Sequence, residues 1–234
     1  MGKPGKKRKK FIIATAVFAA VITLTVFYYQ WATYTPMPIA NREEIKTFKT
    51  VSTHNGLSRI GNNWLKNNGD GVWEMYVEGE PVHRGLVMGR LSAELIHKQE
   101  EAFIGRIREM IPSDHYLRFL KYFIYWFNRN LHEYIPQEFK EEIFGISRSA
   151  SGQFDYIGEP YRRMMNYHSA HDIGHALEQL SLVGCSSFGV WDNASADSSL
   201  IIGRNFDFYA GDDFAGNKIV LFIKPEKGIP FMII

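Results

Sequence analysis

The chain has 234 residues, of which 45% are hydrophobic, 15% aromatic and 22% charged, a balance that excludes collagenous, disordered and disulfide-stapled classes and allows a real core. The formal net charge of +2 hides an asymmetry, because Lys3, Lys6, Lys7, Arg8, Lys9 and Lys10 supply six positive charges and leave the remainder at −4. A mildly acidic body with no basic face argues against a nucleic-acid partner.

The basic segment, residues 1–10, precedes an uncharged run from Phe11 to Ala32 that is long enough to cross a bilayer as a helix, which takes roughly 20 residues. A cleavable signal would have a shorter apolar stretch followed by small residues at its cut site. Here the run closes on Phe27-Tyr28-Tyr29-Gln30-Trp31, an interfacial aromatic belt, so residues 11–31 read as an uncleaved signal anchor. The excess of Lys and Arg on its amino-terminal side predicts a single-pass membrane protein with a cytoplasmic amino terminus and its body on the outer, periplasmic or extracellular side. Residues 32–42 read as a proline-stiffened linker.

Beyond the linker, Glu43 to Lys66 reads as helix and loop, and Val72 to Glu78 alternates as a strand that ends at Gly79-Glu80-Pro81. Leu95, Ile96, Phe103, Ile104, Ile107 and Ile111 recur at helical spacing between Ser92 and Ile111. Pro112-Ser113 opens a second helix, from about Asp114 to Tyr134, whose stripe of Tyr116, Phe119, Phe123, Trp126 and Phe127 reads as core packing rather than a lipid-facing surface. Pro136 begins a third helix through about Phe144, and a fourth spans roughly Ala170 to Leu182. The texture then turns to β, with strands predicted over Ser186–Trp191, Leu200–Asn205, Ile219–Lys224 and Pro230–Ile234, the first two forming a hairpin with Cys185 at its start.

Cys185 is the single cysteine and sits in Gly184-Cys185-Ser186-Ser187-Phe188, nineteen residues before Gly203-Arg204-Asn205-Phe206-Asp207. A thiol with no intramolecular disulfide partner is either a small buried hydrophobe or a reactive group. The succession of these two motifs resembles the acyl-coenzyme A:6-aminopenicillanic acid acyltransferase family of cysteine-type N-terminal-nucleophile hydrolases, whose relatives include bile salt hydrolases and acid ceramidase. The likeness extends upstream to Gly85–Leu91 (GLVMGRL) and Glu141–Ser147 (EEIFGIS). It implies an α+β fold in which a helical pre-nucleophile, propeptide-like region, residues 43–184, precedes the first strands of an αββα sandwich, residues 185–234. About fifty residues after Cys185 are too few for two sheets and their helices, so the chain reads as truncated and without a complete site.

The resemblance implies self-cleavage between Gly184 and Cys185. The freed α-amino group, with an ordinary pKa of roughly 7.7–8.0, would serve as general base to its own thiol. Arg204 would lower the thiol pKa as a nearby cation, and Asp207 would hold the new amino group. Asn205 is a candidate substrate-binding or structural residue, while Ser186 and Ser187 are weaker nucleophiles than the thiol. The expected activity is hydrolysis or acyl transfer at a small N-acyl amide, a C–N bond outside peptides, with no cofactor.

Two alternatives stay open. One is a non-enzymatic membrane-tethered domain of the same fold. The other is a metalloenzyme built on His171 and His175, four residues apart on a predicted helix with His168 and Asp172 nearby, although a zinc-protease motif would have Glu after its first His. Asn193, Asp197, Asp212 and Asp213 lack calcium-loop spacing and read as turn residues.

Overall fold

The computed structural model describes residues 5–38, 51–69, 71–169, 183–208 and 212–233, with the side chains of residues 52, 183–185 and 206–208 outside the description. The protein is mixed α/β, 52% helical and 23% strand. Helix α1 (Lys6–Ala32) is the apolar run, and none of its residues is buried. Among the described residues it is the one helix long and apolar enough to cross a membrane.

The linker after α1 is held from its first residue. Thr33 is buried, and Thr35 Oγ1 accepts a hydrogen bond of 3.1 Å from Arg162 Nε. A polar side chain thus fixes the path by which the chain leaves the helix.

Between the linker and Pro81 the sequence reading is corrected. Residues 43–50 lie outside the described set, but 52–66 is neither helix nor loop. It forms β1 (Ser52–His54), β2 (Leu57–Ile60) and β3 (Asn63–Asn67), leading to β4 (Val72–Gly79). Asn55 and Gly56, at φ 49° and 74°, make the β1–β2 turn, and Gly61, at φ 60°, begins the next. Both central residues of such a two-residue turn need positive φ, which is why Asn-Gly is the strongest short hairpin signal. The part of the chain before Cys185, expected to be helical, therefore contains an antiparallel meander as well as helices.

Helices α2 (Pro81–Leu91), α3 (Ala93–Met110), α4 (Asp114–Phe127), α5 (Leu131–Tyr134), α6 (Gln137–Ser147) and α7 (Pro160–His168) come next in the chain. Pro81 and Pro160 take first-turn positions, where the missing N–H costs nothing. Ser113 Oγ caps α4 by accepting from the Tyr116 amide. The long second helix predicted to Tyr134 breaks at 128–130, so α4 and α5 are separate. The predicted helix from Ala170 to Leu182 lies outside the described residues.

The carboxy-terminal part contributes β5 (Val183–Asp192), β6 (Ser198–Phe208), α8 (Asp212–Ala215), β7 (Lys218–Pro225) and β8 (Phe231–Ile233). The larger sheet has the order β1-β2-β3-β4-β7-β8, while β5 and β6 pair with each other as a separate ladder. Strand β7 runs parallel to β4 in eight consecutive pairs from Val72↔Lys218 to Gly79↔Pro225. Segments on opposite sides of Cys185 thus share one sheet.

Among the described residues, two cores hold the body. Ile60, Leu65, Met75, Val77 and Ile223 of the sheet pack against Val87, Met88, Leu91 and Leu95 of α2 and α3. Ile143 and Phe144 of α6 pack with Tyr161, Met164 and Met165 of α7. The crossing of α2 with α6 joins them, and its glycines explain the two upstream motifs. A Cβ on Gly85 would collide with the Glu142 carbonyl oxygen, one on Gly89 would sit 2.8 Å from the Ile146 oxygen, and one on Gly145 would lie 2.7 Å from the Val82 oxygen. Backbones this close leave no space for a side chain.

The aromatic stripe of α4 departs from the expected core packing. Leu117 is buried and Trp126 half-buried, but Tyr116, Phe119, Phe123 and Phe127 face outward.

Candidate active site

The hairpin that carries the candidate residues is an antiparallel ladder. Its register sets Gly184 opposite Asp207, Cys185 opposite Phe206, Ser186 opposite Asn205 and Ser187 opposite Arg204. Strand β5 begins at Val183, two residues before Cys185, so the Gly184–Cys185 bond lies inside a paired strand and not at its end. Asp207 occupies the rung of the residue just before the thiol, and Arg204 stands two rungs from it.

Of these residues, the backbone alone is described for Gly184, Cys185 and Asp207. The side chains of Arg204 and Asn205 are exposed. Ser186 is exposed as well, and so are the large apolar side chains Phe188, Trp191, Leu200, Ile201 and Ile202 farther along the hairpin. Toward the turn, Asp192 and Ser198 adopt φ of 52° and 62° around a register shift. There Asp197 Oδ1 accepts from Ser195 Oγ at 3.0 Å and from the Ser199 amide at 3.0 Å, and the Ser199 hydroxyl holds its carboxyl below the usual range. Asp197 is a turn-forming acid, in keeping with its sequence reading.

Strand β7 and helix α8 fasten the segment after the hairpin to the segment before it. Gln99 Nε2 of α3 donates to the carbonyls of Gly216 at 2.9 Å and Phe214 at 3.3 Å, and Trp73 Nε1 of β4 donates to Asn217 Oδ1 at 3.2 Å. The Phe103 ring of α3 meets the Phe214 ring at 6.1 Å.

Behind the sheet, two arginines are buried with acids. Arg84 Nε and Nη2 donate to Glu142 Oε2 at 3.0 and 2.8 Å, while Nη1 donates to the Gly79 carbonyl at 2.7 Å. Arg163 donates to Glu100 at 2.6 Å, to Asp155 at 3.0 Å and to the carbonyls of Gly158 and Ser151. Burial raises the pKa of Glu100 and of Glu142, outweighing the pull of the partnering arginine in each. Each guanidinium spans several elements, which makes both pairs structural clamps. Sequence reasoning missed them because partners 58 and 63 residues apart share no local pattern.

Of the histidine cluster, His171, Asp172 and His175 lie outside the described residues. His168 closes α7, its Nδ1 2.8 Å from the Met164 carbonyl. No group of three metal-ligating side chains occurs among the described residues.

The fold defines a mixed α/β protein whose amino-terminal helix is long and apolar enough to cross a membrane. No family model matches the chain, and no solved structure matches it. A curated protein of Archaeoglobus fulgidus described as uncharacterized is 26% identical over 199 residues, covering 79% of this chain. The chain spans 32% of that relative's length.

Proposed function

We propose that the protein is a membrane-anchored, self-processing cysteine amidohydrolase or acyltransferase acting on N-acyl amides. The observation that carries this reading is the register of the β5–β6 ladder, which brings Gly184-Cys185 against Phe206-Asp207 with Arg204 two rungs away.

In the first step the Cys185 thiol attacks the Gly184 carbonyl carbon. The C–N bond breaks, the proton lost from sulfur ends on the departing Cys185 nitrogen, and a thioester joins Gly184 to the thiol. Water then hydrolyses the thioester to the Gly184 carboxylate and a free thiol. Gly184, without a Cβ, crowds the attack least. The new amino group forms next to the rung of Asp207, whose carboxylate binds it, and takes the thiol proton when a substrate amide is attacked. Arg204 favours the thiolate as a nearby positive charge. The substrate amide acylates Cys185 as its C–N bond breaks and its amine leaves with the proton held by the α-amino group; water or another amine then accepts the acyl group and frees the thiol.

The anchor belongs to the same reading. Helix α1 exposes its apolar surface throughout, carries basic residues ahead of it and is fixed to the body by its closing aromatics, which supports a retained span with the body on the outer side. A cyanobenzothiazole, which condenses with a vicinal aminothiol, tests the function. Labelling of the carboxy-terminal fragment at Cys185 is the expected result, and an intact chain that takes no label would overturn it.

A further inference from the structure

Helix α4 carries an aromatic face that is exposed among the described residues. Phe119, Phe123 and Phe127 are 63%, 55% and 72% exposed. They form a continuous strip with Tyr116, whose ring lies 6.3 Å from that of Phe119, while the rings of Phe123 and Phe127 are 5.2 Å apart. The opposite side of the helix turns to the protein. There Leu117 is buried, Lys121 Nζ donates to the Tyr156 carbonyl at 3.2 Å and the Arg118 guanidinium lies 5.9 Å from the Tyr156 ring centre. The arrangement departs from an ordinary surface helix, since Arg118 and Lys121 reach toward the body while the aromatics face out.

The flank of that strip is where α1 is seated. Tyr29 Oη donates to the Tyr122 carbonyl at 2.7 Å, the Tyr29 ring stacks on Trp126 at 6.4 Å, and the Tyr28 ring meets Trp126 at 6.2 Å. These tyrosines close the apolar run of α1, at the level where a spanning helix leaves the hydrocarbon. The α4 strip is therefore continuous with the lipid-facing surface of α1 and lies at interface depth. With 14 residues, Arg118 and Lys121 among them, α4 is too short and too charged to span, since a crossing takes roughly 20 apolar residues.

We propose that α4 is a second membrane-contact element, an amphipathic helix whose Phe119, Phe123 and Phe127 enter the boundary between headgroups and acyl chains beside the anchor. Together α1 and α4 fix the body at two points, which limits its tilt and holds one face of it against the lipid. The inference rests on the reading of α1 as a bilayer span.

The test uses the full chain with Cys185→Ala, reconstituted in phosphatidylcholine–phosphatidylglycerol vesicles and labelled with bimane at one introduced cysteine: Phe123→Cys on α4, Val17→Cys on α1 or Lys66→Cys on the sheet. Phe123 and Lys66 are exposed, so neither change opens a cavity in the core. The expected result is that a nitroxide-bearing lipid quenches the Phe123 label at least about threefold more than the Lys66 label, and aqueous iodide quenches it about threefold less. A Phe123 label as open to iodide as that at Lys66, with Val17 in lipid, would overturn the proposal and leave the anchor standing. A Phe123 label shielded from both quenchers would overturn it in favour of a protein partner. A Val17 label open to iodide would remove the anchor reading and this inference with it.

Discussion

Gly184 and Asp207 stand directly opposite one another in the β5–β6 ladder, so the bond proposed for self-cleavage lies beside the acid proposed to hold the amino group it releases. Asp207→Asn removes the charge at that rung, whereas Asp213→Asn makes the same change in α8, off the ladder. Fragment appearance monitored by gel should slow at least about tenfold in the first variant and stay at the parent rate in the second. Equal rates would separate Asp207 from the chemistry.

The eight-pair parallel register of β4 with β7 decides whether the two pieces part after cleavage. Residues 1–184 and the piece beginning at Cys185 would still share a sheet, the core contact of Met75 and Val77 with Ile223, and the Gln99 hydrogen bonds. A tag on the amino-terminal piece should therefore retain the carboxy-terminal piece through washing in non-denaturing detergent and release it in denaturant. Loss of the second piece in the native wash would contradict this arrangement.

The α2–α6 crossing predicts opposite effects of one substitution at two glycines. Gly85→Ala drives a methyl into the Glu142 backbone and should cost about 3 kcal/mol. Gly105→Ala, in the middle of α3 with open space around it, should instead gain about 0.5–1 kcal/mol. Urea unfolding in micelles reads both, and a neutral Gly85→Ala would contradict the close approach.

Glu142 gives a pH dependence of defined sign. Burial holds its folded-state pKa above the ordinary 4.5, despite Arg84. The folded protein thus binds this proton more tightly than the unfolded chain. Its contribution is complete below the ordinary value and is lost as pH rises through the raised one. As pH rises from 4.5 toward neutrality the unfolding free energy of the parent should fall relative to that of Glu142→Gln. A parent that gains on the variant over that range would contradict the burial.

Local signals made α1, α3, α6 and the strands after Cys185 legible in the sequence, because each rests on period or composition within a short window. The Asn55-Gly56 turn was equally local, yet the short strands around it alternate too briefly to declare themselves. The α4 stripe was visible as a pattern, but periodicity reports that a face is apolar and is silent on what covers it. The parallel pairing of β4 with β7 depends on residues about 146 apart in sequence, which no window reads. At the site, the order of Cys185, Arg204 and Asp207 was legible, while their rungs depended on the register of the hairpin.

Self-cleavage at Cys185 is tested most directly by intact mass and amino-terminal sequencing of the full chain, beside Cys185→Ala. Two fragments are predicted from the parent, the second beginning with Cys185, and a single uncut chain from the variant. An uncut parent with a folded body, or the same fragments from both, would contradict the self-processing reading.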